Sequence, residues 1–228
     1  MSIENKVVVI TGASRGLGRA LAFVFAKEGA KLVLSSLPSE ELKKLGRELK
    51  AETFPADVTK ENEIKKLADF TIQKFGRIDV WINNAGIWMP HAPIEEMDWG
   101  RVHDLVEVNL FGTVYGSKAA LVQMEKQQSG AIINIISVSA LEGRPYSSGY
   151  CASKYAADGF TKSLRLEARS KKIRVFAIYP DKMKTGLYGK EEPVDYGEYM
   201  EPDFVARTIV GNLKKENPEE ELIIRKKV

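Results

Sequence analysis

Lys6–Gly29 reads KVVVITGASRGLGRALAFVFAKEG. Its first five residues are an apolar, β-branched run, the pattern of a strand buried on both faces. Thr11-Gly12-Ala13-Ser14-Arg15-Gly16-Leu17-Gly18 follows at once, and Arg19–Glu28 then has the apolar content of a helix, closed by Gly29. Strand, glycine-rich turn and helix, in that order, make the context of a dinucleotide site. Gly12 permits the tight turn, Gly16 lets the backbone approach a pyrophosphate, and Gly18 lets the helix pack closely on the sheet. The helix N-terminus supplies unpaired N–H groups and a positive dipole end, so Ser14, Arg15 and Leu17 join the glycines as candidate cofactor contacts. The spacing is Gly-x3-Gly-x-Gly rather than the more widespread Gly-x-Gly-x-x-Gly.

The next strand, Lys31–Ser35, ends at Ser35-Ser36-Leu37-Pro38. A carboxylate near this point, about 20 residues past the glycines, holds the ribose 2′-hydroxyl of NAD in dinucleotide folds. No Asp or Glu occurs between Lys31 and Ser39. Ser36 and the cation of Arg15 suit a 2′-phosphate better, which favours NADP(H) over NAD(H). The competing reading makes Arg15 a solvated loop residue.

The whole chain is consistent with this beginning. Its 228 residues suit a single α/β dinucleotide-binding domain spanning 1–228 and burying roughly 70–75% of its unfolded surface. Repeated strand–helix units imply a Rossmann-like, doubly wound, mainly parallel sheet with helices on both faces. Further strands are expected at Glu52–Pro55, Ile78–Asn83, Ala131–Ile136, Ile173–Tyr179 and Glu221–Ile224. Helices are expected at about Ser39–Lys50, Lys60–Phe75, Trp99–Gln127 (long and broken), Tyr150–Ser170 and Asp203–Lys214. Ligands of such sheets bind beyond the carboxyl ends of the strands, and Gly12, Asp57, Asn84, Ser137 and Pro180 each follow such an end.

A net charge of +3 is too small and too mixed to point to nucleic acid. No run of eighteen apolar residues suggests a membrane span, and the N-terminus enters a strand without the layout of a signal peptide. One cysteine, Cys151, fits a reducing cytoplasm. It adjoins Tyr150 but points about 100° away on a helix, so it reads as structural. His91 and His103 have no metal-ligand spacing with cysteines or carboxylates.

The chemistry is concentrated in Ser137–Lys154, SVSALEGRPYSSGYCASK. Tyr150 and Lys154 stand four apart, on one face of a helix. Bringing a phenol from about pH 10 to neutrality requires roughly 4 kcal/mol. One unit charge at about 4 Å supplies ~4 kcal/mol at an effective dielectric of about 20. Lys154 is therefore sufficient to make Tyr150 a working acid/base, with Ser137 brought alongside to bind the oxygen being protonated. By itself such a pair also occurs by chance in helices, as a tyrosine beside a solvated lysine. The supporting signals are elsewhere in the chain.

Taken together, TGASRGLG at 11–18, Asp57-Val58, NNAG at 83–86, Asn109 within VNLFGT, Ser137 and Tyr150-x-x-x-Lys154 resemble the short-chain dehydrogenase/reductase family, in its compact single-domain branch. The resemblance runs over nearly the whole length, most firmly from Lys6 to Thr185. It implies that Asp57 and Val58 contact the adenine and that Asn84, Ala85 and Gly86 line the cofactor path. It implies that Ser137 orients a substrate carbonyl, that Tyr150 protonates it, and that Lys154 tunes Tyr150 and holds the nicotinamide ribose. Asn109 would hold a water that links Lys154 to solvent. The reaction implied is hydride transfer between NADP(H) and a small-molecule carbonyl or secondary alcohol, in a homodimer or homotetramer joined through the long helices. A dinucleotide-binding regulator or scaffold without turnover is the alternative.

One departure stands out. The family has Pro-Gly and then a threonine after the sixth strand; here Pro180 is followed by Asp181, with Thr185 in place to contact the carboxamide. Asp181 either changes the backbone there or puts a carboxylate at the substrate mouth. Leu141–Ser148 and Gly186–Met200 are expected to enclose the substrate, with Trp88 and Met89 near the opening. The tyrosines, glycines and proline of 186–200 suit either a mobile lid or a connector packed on the surface.

Overall fold

The computed structural model describes residues 1–188 and 195–226. The chain alternates β1 (Val7–Ile10), α1 (Gly16–Lys27), β2 (Lys31–Leu34), α2 (Glu40–Leu49), β3 (Glu52–Thr53), α3 (Glu61–Phe75) and β4 (Val80–Asn83). It continues with α4 (Trp99–Leu105), α5 (Gly112–Gln127), β5 (Gly130–Ile135), α6 (Ser148–Arg169), β6 (Ile173–Pro180), α7 (Pro202–Lys214) and β7 (Glu221–Ile224). The strands form one sheet in the order β3-β2-β1-β4-β5-β6-β7, and every neighbouring pair is parallel.

Strand alternation sorts the core into two layers. Val8 and Ile10 pack with Leu21 and Phe25 of α1, Leu42 and Leu45 of α2, and Ile209 and Leu213 of α7. Val9 faces the other way, with Ile64 and Leu67 of α3, Met124 of α5 and Leu164 of α6. Both faces are thus covered, which explains why β1 and β4 are buried at every residue. Each fully buried Leu, Ile or Phe contributes about 1.5–3 kcal/mol, so the sheet is the stable platform of the fold. From β1 the chain winds outward through β2 and β3, then returns to β4 on the other side. The crevice at this reversal, beyond β1 and β4, is where a ligand enters such a sheet.

Local signals set the element ends. Ser39 caps α2 by accepting from the Leu42 N–H at 3.2 Å, and Gly76 ends α3 in the left-handed region (φ 74°). β3 is shorter than Glu52–Pro55, since Pro55 has no N–H to extend the ladder. The break expected within Trp99–Gln127 is a π-helical segment, Val106–Phe111, between α4 and α5. It widens the helix at Asn109, whose carbonyl accepts from the Thr113 hydroxyl at 2.9 Å. Among the described residues no helix is long and apolar enough to cross a membrane.

Candidate active site

A cleft of about 920 Å³ opens beyond the carboxyl ends of the strands. Gly12, Ser14, Arg15, Gly16, Leu17, Ser36, Asp57 and Val58 line one end. Asn84, Ala85 and Gly86 line its middle, Ser137, Tyr150, Lys154 and Pro180 the other end, and Thr185 stands against Gly16 of the glycine loop. Residues far apart in sequence therefore share one wall. Gly18 and Asn109 do not line the cleft; both lie behind it.

The glycine loop is held at the strand reversal by two side chains. Thr11 Oγ1 donates to the Ile82 carbonyl (3.2 Å) and accepts from the N–H groups of Asn84 (3.1 Å) and Ala85 (3.2 Å). Asn84 Nδ2 donates back to the carbonyls of Thr11 (2.9 Å) and Gly12 (3.1 Å). Gly12 has φ +63°, and a Cβ there would stand 2.7 Å from Ala85 Cα, so no other residue fits. A Cβ on Gly18 would overlap the Gly12 carbonyl oxygen. The loop consequently presents bare backbone at the N-terminus of α1, which fits the pyrophosphate of a dinucleotide. The role of Thr11 was not legible beforehand, because its partners arrive from β4, seventy or more positions away.

Asp57 shares the same end. Its Oδ1 accepts from the N–H (2.9 Å) and hydroxyl (2.8 Å) of Thr59, and its own N–H donates to Glu63 Oε2 at 2.8 Å. The carboxylate thus shapes the turn after β3 while standing on the cleft wall. Arg15 is exposed, and its side chain runs toward Gly186.

At the far end, α6 carries Tyr150 and Lys154 one turn apart, with Ser137 brought up after β5. Lys154 Nζ donates to the Ile135 carbonyl at 3.3 Å and lies 5.9 Å from the centre of the Tyr150 ring. Burial draws Lys154 down to about 8. Burial also pushes the Tyr150 phenol up to about 12, against the pull of the Ser137 hydroxyl and the Arg144 cation. Tyr150 is thus a neutral phenol at pH 7. The lysine alone does not lower it, because the same burial opposes charge on both groups.

Asn109 is 1% exposed and clamps the loop after β4. It accepts from the Ile87 N–H at 2.9 Å and donates to the Ile87 carbonyl and to Ser153 Oγ, both at 3.1 Å. Asp181 takes an ordinary backbone conformation, absent from the left-handed positions, so the missing glycine costs the chain no turn. It places a carboxylate at the mouth, 3.3 Å from Arg144 Nη2. Trp88 lines the cleft, but Met89 does not: it is buried with Met97, Leu105 and the Tyr150 ring. His91 stands on the exposed rim, its ring 5.7 Å from that of Trp88, and burial followed by the Arg144 and Lys182 charges lowers its pKa. Of the expected enclosing segment, 189–194 lies outside the described residues; its base is closed by backbone pairing of Lys182 and Lys184 with Met200.

A sequence profile described as short chain dehydrogenase matches residues 6–194. The chain belongs to the short-chain dehydrogenase family. An uncharacterized oxidoreductase of Staphylococcus saprophyticus is 36% identical, with 98% of this chain and 97% of that protein covered. An alcohol dehydrogenase from Thermococcus sibiricus, solved with 5-hydroxy-NADP, superposes with a TM-score of 0.88 at 30% identity over 97% of each chain. A 3-ketoacyl-(acyl-carrier-protein) reductase from Brucella melitensis, solved with NADH, gives 0.90 at 26% identity over 98% of each. This short-chain dehydrogenase is accordingly a nicotinamide-dependent oxidoreductase acting on CH–OH and C=O groups.

Proposed function

We propose that this short-chain dehydrogenase reduces a small-molecule carbonyl with NADPH, and oxidises the corresponding alcohol in reverse, with Tyr150 as the proton donor and acceptor. The observation that carries the reading is the single cleft that joins the glycine loop to Ser137, Tyr150 and Lys154. The bound cofactor supplies the hydride. The chain's residues do the rest: the glycine loop and Asn84 hold the dinucleotide, and Ser137 donates to the substrate oxygen and orients it. Tyr150 passes its proton to that oxygen, a step for which a neutral phenol is the correct state. Lys154 places a cation beside the phenol and binds the nicotinamide ribose, while Asn109 fixes the loop between them and shares a small space with Lys154 beside Gly86. Thr185 would hold the carboxamide, with Pro180 beside the cofactor.

Residues 1–228 act in this reading as one catalytic unit. Self-association into a dimer or tetramer through α5 and α6 fits their exposed Val122, Tyr155 and Leu166. A cytoplasmic location fits the one cysteine. The test is NADPH oxidation over a panel of diketones, quinones and keto esters, with alcohols and NADP for the reverse direction. Turnover is expected; cofactor binding without turnover across the panel favours a silent binding protein.

The preference for NADP(H) rests on Ser36 at the ribose end and on Arg15, whose side chain leaves the glycine loop toward Gly186. Arg15 has no ion pair among the described residues, so its charge is available to a 2′-phosphate. Glu41 also lines that end, but in solvent, where its repulsion is screened. Arg15→Ala is expected to weaken NADPH binding by about tenfold, the worth of a charge-assisted contact, while NADH binding stays the same. Fluorescence titration of both cofactors measures this, and an unchanged ratio removes Arg15 from the assignment.

A pH dependence follows from Lys154. Its cation, which assists Tyr150, is present below about 8 and is lost as the pH rises through that value. kcat/KM for reduction should therefore fall on the alkaline side with a limb near 8. Lys154→Met should abolish the limb along with most of the rate. A flat profile from pH 7 to about 9.5 argues that the lysine charge plays no part.

A further inference from the structure

Beyond the reacting residues, the mouth of the cleft holds an ion pair with spare bonding capacity. Arg144 lies in the loop between β5 and α6, and Asp181 directly follows β6. Both line the cleft with Tyr150 and His91. One hydrogen bond joins the two side chains among the described residues, from Arg144 Nη2 to Asp181 Oδ1 at 3.3 Å, and the other carboxylate near the guanidinium, Glu142, stands 3.9 Å from the same nitrogen. Among the described residues Nε and Nη1 of Arg144 make no hydrogen bond. Asp181 meanwhile is anchored independently, its Oδ1 accepting from the Lys182 N–H at 2.9 Å and its own N–H bonding to the Ile224 carbonyl at 2.9 Å.

A guanidinium binds a carboxylate best through two parallel N–H donors. Arg144 gives only Nη2 to Asp181, keeps Nε and Nη1 unbonded among the described residues, and lines the cleft with its side chain only partly exposed at 28%. Its charge also acts on Tyr150, His91 and Tyr199, so it stands among the groups that surround the reacting end. The neighbouring cation, Lys182, is engaged by Asp195 and is less available.

The geometry points to Arg144 as the anchor of a substrate carboxylate, making the substrate a keto acid or hydroxy acid, with Asp181 the internal partner from which the guanidinium is drawn. This rests on the reading of Tyr150 as the reacting end of the cleft. The reaction itself is unchanged: hydride and proton add to the carbonyl, and the carboxylate stays intact. Arg144 is a specificity-determining residue, and its effect belongs in binding.

The experiment uses a dead-end complex, so that it does not depend on turnover or on the role of Tyr150. Protein saturated with NADPH, with saturation followed by nicotinamide fluorescence, is titrated calorimetrically with 3-hydroxybutyrate and with 3-hydroxybutyramide, its neutral counterpart. The carboxylate should bind about tenfold or more tightly than the amide. Arg144→Gln, which keeps most of the stem and removes the charge, should erase that difference. Asp181→Asn should tighten carboxylate binding by removing the competitor. Equal affinity for the two ligands in the wild-type protein, or a difference that survives in Arg144→Gln, overturns the assignment. Weaker carboxylate binding in Asp181→Asn overturns the exchange. If the carboxylate is preferred but Tyr150→Phe retains turnover, the anchor stands and the proton donor must be sought elsewhere.

Discussion

Tyr150→Phe is expected to slow carbonyl reduction by about 10²–10⁴-fold, the usual contribution of a positioned acid, and to leave NADPH affinity unchanged. The substitution removes one oxygen and keeps the ring, which packs beside Met89, Met97 and Leu105. The fold around α6 should therefore survive. The glycine loop lies toward the other end of the cleft and Asn84 in its middle, so the proposed dinucleotide contacts are not touched. Single-turnover hydride transfer separates the step from product release, and a fluorescence titration gives the affinity. A rate within a few-fold of wild type would show that the proton comes from another group. Since burial pushes this phenol up to about 12, no alkaline limb belonging to Tyr150 itself is expected below that pH in the free enzyme.

Gly18→Ala is expected to destabilise the protein by about 1–3 kcal/mol, the cost of overpacking a tight contact, and to weaken cofactor binding. The added methyl would overlap the Gly12 carbonyl oxygen and lie 2.5 Å from Asn84 Nδ2. Both neighbours belong to the contact between loop and strand end, so neither can yield as a flexible side chain would. Relief requires α1 to move off the sheet or the Asn84 bonds to Thr11 and Gly12 to break. Either change opens the loop that faces the ligand. Calorimetric unfolding should show a melting temperature lower by roughly 2–10 °C for a chain of this size, and NADPH titration a weaker complex. Gly211→Ala is the control. It lies in α7 with nothing within 4 Å of the added carbon, so it should be neutral or stabilising by up to about 1 kcal/mol. Equal behaviour of the two variants would mean that the close approach at Gly18 has no energetic weight.

The contrast between these glycines shows what was readable beforehand. Gly18 follows a buried strand and opens a helix, a local pattern with a local physical cause. Tyr150 and Lys154 are equally local, since helical spacing puts them on one face. The environment of that pair was not readable. The spacing of the pair is the same in any context, but the burial that raises Tyr150 and lowers Lys154 comes from elements distant in the chain. Asn109 illustrates the same limit. Its place in a widened helix turn, clamping Ile87 and Ser153, depends on contacts made only after folding. Met89 was expected at the opening beside Trp88, yet adjacent residues in an irregular loop need not share a side, and it packs inward.

Asp181 draws the division most clearly. From sequence it was a departure with two readings, an altered backbone or a carboxylate at the mouth. Its ordinary backbone conformation and its contact with Arg144 decide for the carboxylate. The amino-acid sequence by itself determined the parallel α/β architecture, the glycine loop and the tyrosine–lysine pair, because each follows from periodicity or spacing within one or two elements. Only the tertiary structure decided which charges surround that pair and which guanidinium donors are left unused, because electrostatics act through space between loops that sequence separates by tens of residues.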